Sequence, residues 1–237
     1  MKARNPFVVA VMALAMFASA HPQTEPPADQ KIQKEVVAAV DKYHAGDASG
    51  AITMLEGLYK QDSKNMDVVN WLGFLYLRTG APEKAAPVLA QGVKLQPDNI
   101  GLRHNLAIAY MNAGRTDQAI TGFEDLVQRA PTNAEYLATL GSLYVKTKQY
   151  DKAVDPLEAS NKIKADNPLV LTNLGTAYVN TNQQAKAVET YEALRKVEPD
   201  NQVALSWLGY FYLQSKQTDK AIDALEQARK IRPNDLE

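Results

Sequence analysis

The side chains able to do chemistry are few, and their types favour recognition over catalysis. The chain has three histidines (His21, His44 and His104) and no cysteine. Thiolate nucleophiles, sulfur metal sites and disulfides are therefore excluded. A single imidazole with neither a second ligand nor a paired carboxylate does not make a metal site. Adjacent acids such as Glu124 and Asp125 read as a solvated helix face. No glycine-rich phosphate loop, nucleophile elbow or zinc-binding helix motif occurs. The expectation is no catalytic residue, no metal and no cofactor. What remains suits surface recognition. The stretches from Trp71 to Leu77 and from Trp207 to Leu213 are near copies rich in aromatic residues, with amides such as Asn105 and Asn173 between them. Amides offer a donor and an acceptor together, which fits them to hold a polypeptide backbone.

These residues recur because the chain does. A block of 34 residues runs six times from Ile32 to Asp235 without insertion or deletion, in copies at 32–65, 66–99, 100–133, 134–167, 168–201 and 202–235. Ala51, Ala85, Ala119, Ala153, Ala187 and Ala221 mark one position. Ala39, Gly73, Ala107, Gly141, Gly175 and Gly209 mark another, twelve residues earlier. Small residues at fixed spacing predict two helices in close approach in every copy. Val69, Leu72, Gly73 and Tyr76 share one helical face at the i, i+3, i+4, i+7 spacing. Gly46, Gly80, Gly114 and Asn182 stand where the first helix must end in a left-handed residue. Lys148 and Lys216 occupy the same place, at a cost of about 1 kcal/mol each if that geometry is kept. Asn65, Asn99, Asn133, Asn167 and Asn201 are placed to cap the next helix. Pro87 and Pro156 fall inside second helices, within the first two turns, where a lost hydrogen bond costs least.

The residues resemble the tetratricopeptide repeat family. Leu72-Gly73 to Tyr76, Leu140-Gly141 to Tyr144, Leu174-Gly175 to Tyr178 and Leu208-Gly209 to Tyr212 carry its L-G-x-x-Y pattern, and Leu106-Ala107 to Tyr110 carries it with alanine. The resemblance implies an all-α, right-handed superhelix of helix-turn-helix units whose first helices line a concave groove. It covers residues 32–235. The first copy is degenerate, with Lys42 at the tyrosine position, as a terminal repeat allows. The tryptophans also depart from the family pattern, standing directly before Leu-Gly.

That displacement turns the tryptophans away from the packed stripe. In the second copy Asn70, Trp71, Phe74, Leu77 and Arg78 fall on the groove side. The third contributes His104, Asn105, Ile108 and Asn112, and the fourth Thr139 and Lys146. The fifth contributes Asn173, Thr176 and Asn180, and the sixth Trp207, Tyr210 and Gln214. The family often uses asparagine at the Asn105 and Asn173 position to bond an extended peptide. The family's clamp for C-terminal carboxylates is not supported, because its lysine position holds Val36, Asn70, His104, Ala138, Thr172 and Ser206.

The first twenty residues read as a secretory signal: Lys2 and Arg4, a twelve-residue apolar run from Phe7 to Ala18, and a small-residue site ending at Ala20. The run is short of the ~20 apolar residues a spanning helix needs, so a retained anchor is the rival reading. Residues 21–31, rich in proline and polar groups, read as a spacer. Without Lys2 and Arg4 the chain keeps 24 basic against 27 acidic residues, a net charge near −3. That charge gives no footprint for nucleic acid or anionic lipid.

The expectation is an exported, periplasmic or secreted adaptor that binds a protein or extended peptide and helps organise a cell-envelope complex. One alternative is a self-assembling homo-oligomer that uses its last repeat, where Ala224, Ala228 and Ile231 would leave an apolar end face. Another is a glycan-binding accessory, resting on the groove aromatics.

Overall fold

The computed structural model describes residues 28–231, which form twelve α-helices. In chain order these are α1 (Ala28–His44), α2 (Ala48–Gln61), α3 (Met66–Arg78), α4 (Pro82–Leu95), α5 (Ile100–Asn112) and α6 (Thr116–Arg129). The second half holds α7 (Ala134–Lys146), α8 (Tyr150–Ile163), α9 (Pro168–Asn180), α10 (Gln184–Val197), α11 (Gln202–Gln214) and α12 (Thr218–Ile231). The architecture is an all-helical solenoid of antiparallel pairs. The signal-like segment lies outside the described residues, as do residues 21–27 of the expected spacer. Residues 28–31, also read as spacer, are instead the opening turn of α1. Their proline-free sequence Ala-Asp-Gln-Lys has no barrier to helix and is carried along by Ile32, which is buried.

Helix starts follow side-chain chemistry. Asn65 accepts from the backbone N–H groups of Asp67 and Val68 at 3.1 and 3.2 Å. Asn99, Asn133, Asn167 and Asn201 cap α5, α7, α9 and α11 in the same way. Each such cap contributes about 1 kcal/mol. The other ends follow backbone geometry. Gly46, Gly80 and Gly114 take φ of +91°, +74° and +71°, while Lys148, Asn182 and Lys216 take 59°, 58° and 57°. The residue after each closes a six-to-one bond onto its helix, as Ala81 N–H does to Tyr76 O at 2.8 Å and Gln149 N–H to Tyr144 O at 2.8 Å. Asp166, at φ 60°, is a further left-handed residue. It follows Ala165, where neighbouring copies place proline. Pro87 and Pro156 sit inside unbroken α4 and α8.

Close packing explains the small residues, with one refinement. A Cβ on Gly73 would come within 2.5 Å of Leu89, and one on Gly175 within 2.6 Å of the Tyr191 ring. The nearest atoms to each glycine thus belong to the large residue sixteen positions on, for which it makes room. Leu89 and Tyr191 are fully buried beneath those glycines.

A polar ladder joins successive pairs. Tyr76, Tyr144 and Tyr212 each donate their hydroxyl to a glutamate twenty residues earlier, Glu56, Glu124 and Glu192, at 2.5–2.7 Å. Tyr178 does the same to Glu158. Over each of these four rings lies a lysine ammonium, from Lys84, Lys152, Lys220 and Lys186, 5.2–5.7 Å from the centroid.

Odd-numbered helices touch one another directly: α1 with α3, α3 with α5, and α7 with α9. Among the described residues the even-numbered helices make no comparable contact. The more closely spaced row is the inner wall of a curved stack, which puts α3 and α5 on the concave side.

Candidate functional site

On that inner row Asn70, Trp71 and Phe74 of α3 face Asn99, which caps α5, and Gly101, Leu102 and Asn105 of α5 across a cleft of about 570 Å³. Helical period places the three α3 residues together: Asn70 and Trp71 are neighbours, and Phe74 lies one turn on. Trp71 and Phe74 meet edge to face with centroids 5.8 Å apart and planes at 86°. Phe74 is further held by Tyr43 at 6.0 Å, again edge on. Tyr43 was absent from the sequence-derived set, because the first copy departs from the motif. Its signal was available: it stands 34 residues before Leu77, itself a groove position.

None of the sequence-derived groove residues is buried, but they are not equally free. Trp71 and Trp207 are half-buried, their inner edges packed against the core. Phe74 and Tyr210 are exposed at 36% and 49%. Asn70, Arg78, Asn112, Lys146, Asn180 and Gln214 are exposed, and Leu77 and Ile108 half-buried.

Several polar members already bond within the protein. Asn173 Nδ2 donates to Ser142 Oγ at 2.8 Å. Thr139 Oγ1 donates to Glu135 O at 2.9 Å, and Thr176 Oγ1 to Thr172 O at 2.8 Å. Asn180 Nδ2 donates to Thr176 O, and Gln214 Nε2 to the Tyr210 hydroxyl. The two threonine hydroxyls must break that bond before they donate to a ligand, while each amide keeps a second N–H and its carbonyl oxygen. Asn70 and Asn105 make no side-chain hydrogen bond among the described residues, so both amides keep full capacity to pair with a backbone.

His104 belongs to packing more than to the groove. Its ring lies 5.3 Å from Tyr136 of α7 and 6.3 Å from Phe123 of α6, wedged where three helices meet. Two copies along from the aromatic cleft, the same register opens again as about 440 Å³ lined by Ala138, Thr139, Ser142, Asn167 and Leu169. The aromatic groups are gone there, and hydroxyls replace them. The two ends of the inner row are also unequal. Trp207 stacks on Phe211 at 5.6 Å and 24°, and meets Tyr210 edge on at 5.8 Å. Among the described residues no inner helix follows α11 to form the opposite wall of a cleft.

The expected apolar end face needs correction. Ala224 and Ala228 are buried, because α12 turns them onto α11 with Ala221. Ile231 remains 38% exposed, and Ile222 is the larger exposed apolar group on that helix. Among the described residues no cluster of three or more His, Asp or Glu is placed to hold a metal, and no helix is long and apolar enough to cross a membrane.

Comparisons with known proteins agree with the repeat fold. Models of the tetratricopeptide repeat match residues 42–98, 80–143, 134–167 and 172–235. No curated protein matches the chain. Among solved structures, one titled YrrB, "a TPR protein with an unusual peptide-binding site", superposes with TM-score 0.67 at 16% identity, covering 77% of this chain and 94% of that one. MamA from Desulfovibrio magneticus, from residue 41 onward, gives 0.64 at 20% identity, covering 74% and 98%. A tetratricopeptide repeat protein from Parabacteroides merdae gives 0.65 at 17% identity, covering 85% and 80%. At these identities the likeness is one of fold.

Proposed function

The chain belongs to the tetratricopeptide repeat family, and we propose that it is a non-catalytic adaptor that holds an extended segment of another protein on its inner row of helices. The observation that carries this reading is the cleft of Asn70, Trp71, Phe74 and Asn105. It combines aromatic anchors, rigidly seated by their neighbours, with two amides that have no side-chain partner among the described residues. Rigid aromatics contribute contact area at little conformational cost, and amides with no competing internal bond can exchange their water for the N–H and C=O groups of an extended backbone. The structure titled for its peptide-binding site supports a peptide as occupant at the level of the fold. Recognition then weakens along the row, where Thr139 and Asn173 are already engaged.

This adaptor is exported. The basic start, the apolar run and the small-residue site in residues 1–20 support a cleaved signal, and a cell-envelope complex is the setting in which such a chain works. Mass spectrometry of the protein recovered from cells should find His21 as the first residue; an intact Met1 would overturn cleavage and favour the retained anchor. Six 34-residue units form the array, as the spacing of the helix starts at Met66, Ile100, Ala134, Pro168 and Gln202 supports.

The binding reading is tested by placing a photoreactive phenylalanine derivative at Phe74, and in parallel at exposed Val197 on α10, in living cells. One dominant adduct from Phe74, lost when Trp71→Ala is added and absent from Val197, is expected. Equal adducts at both positions would contradict a specific groove.

Self-association through the last pair has one supporting observation, the exposed Ile222 at 49%. Light scattering that gives a concentration-dependent mass, abolished by Ile222→Lys, would establish it; a constant monomer mass would end it.

A further inference from the structure

We propose that the cleft over Tyr110, between α4, α5 and α6, receives a lysine side chain from a partner protein. The site is distinct from the inner-row cleft and shares none of its residues.

The chain itself shows what this position takes. In four copies the motif tyrosine gives its hydroxyl to a glutamate and carries a lysine ammonium over its ring, within 5.7 Å of the centroid. The third copy keeps the tyrosine and loses both partners. Ala90 stands where the others place Glu56, Glu124, Glu158 and Glu192, and Gln118 where they place Lys84, Lys152, Lys186 and Lys220. Gly122 then removes the side chain that Val88 supplies one copy earlier. The same cleft therefore widens from about 390 Å³ at Tyr76 to about 520 Å³ at Tyr110.

Its chemistry suits a lysine. Val93, Leu106 and Gly122 line it with apolar surface for a four-carbon stem. The Tyr110 ring offers a π-face to the ammonium. Asp117 lies on the rim, exposed, and the ion pairs nearby run Arg103–Asp125, Arg129–Asp125, Arg129–Asp98 and Arg115–Glu83 without using it. With Arg103, Asp117 and Asp125 as its charged groups, the lining is net negative by one charge. Tyr110 is also the residue that packs against both buried clusters of the array, which divide in this copy. A ligand over its ring thus sits on a firmly held platform.

The test uses the full chain and short capped peptides, Gly-Gly-Lys-Gly-Gly and the same peptide with norleucine, titrated while the backbone amide resonances of Leu106 and Gly122, which line the cleft, are followed by NMR. The lysine peptide should give saturable shifts with an affinity at least about threefold tighter than norleucine. Tyr110→Phe should keep binding, since the ring and not the hydroxyl is used, and Tyr110→Leu should lose it. The paired change Ala90→Glu with Gln118→Lys rebuilds the ladder of the other copies and should abolish binding while the thermal midpoint holds or rises. Trp71→Ala should leave it unchanged, which separates this site from the inner-row cleft. Equal affinity for both peptides, no saturable shift up to about 10 mM, or undiminished binding by the rebuilt variant would each overturn the proposal.

Discussion

Trp71 meets Phe74 edge to face with centroids 5.8 Å apart and planes at 86°, and Trp207 meets Tyr210 at the same distance and angle 136 residues later. Identical local geometry at two ends of the inner row does not make two equivalent sites. The first pair forms one wall of a cleft closed by α5, and the second has no following inner helix among the described residues. Trp71→Ala should therefore weaken partner binding by ~2 kcal/mol or more, and Trp207→Ala by well under 1 kcal/mol. Calorimetric titration of the crosslinked partner against each variant measures both.

Glycine substitutions should change sign with position. Gly57 has nothing within 4 Å of a built Cβ, so Gly57→Ala should stabilise by up to about 1 kcal/mol through helix propensity. Gly175→Ala drives a methyl to within 2.6 Å of Tyr191, a ring that is fully buried and cannot swing aside. That overpacking outweighs the propensity gain and should cost about 1–2 kcal/mol net. Urea unfolding of both variants decides it.

The two turn lysines hold left-handed geometry with φ of 59° and 57°. Lys148→Gly and Lys216→Gly should each stabilise by about 1 kcal/mol, and Gly80→Lys should destabilise by a similar amount. Thermal midpoints report all three.

Stability should fall at both pH extremes through the tyrosine–glutamate ladder. Burial, then the Glu124 bond, pushes Tyr144 up to about 12, and burial with the Glu192 bond does the same for Tyr212. A raised folded value means the contribution is whole below the ordinary tyrosine value of 10.0 and is lost as pH climbs towards 12. Glu56 and Glu158 are lowered, first by the Tyr76 and Tyr178 hydroxyls and then by Lys84 and Lys186 against the opposing effect of burial. Their contribution is present above the ordinary value of 4.5 and fades as pH falls below it. A Tyr144→Phe, Glu124→Ala double-mutant cycle should show coupling of about 1–2 kcal/mol at pH 7 that vanishes near pH 12.

Much of the fold was legible because its determinants are local. Asn65 and Asn99 cap helices through their own neighbours, and Lys148 takes the turn geometry that Gly80 takes two copies earlier. Helical period alone separated Trp71 and Phe74 from Leu72 and Tyr76. The rest depends on contacts across helices. Nothing local says that Asn173 is spent on Ser142 while Asn105 stays free, since that choice rests on distances between α7 and α9. His104 reads as a groove residue by phase, yet Tyr136 and Phe123 from two other helices take its ring. Ala224 and Ala228 read as the uncovered end of the last repeat, but α12 turns both onto α11, where they are buried. The ladder glutamates recur visibly, but their twenty-residue reach to tyrosine crosses from one unit to the next.

The central claim is that an extended chain is held between α3 and α5. It is tested most directly by titrating the partner segment mapped from the Phe74 crosslink against wild-type protein and against Trp71→Ala with Phe74→Ala, both shown folded by circular dichroism. The account predicts a loss of affinity of roughly 30-fold or more with the thermal midpoint little changed. An affinity that survives removal of both rings would contradict it.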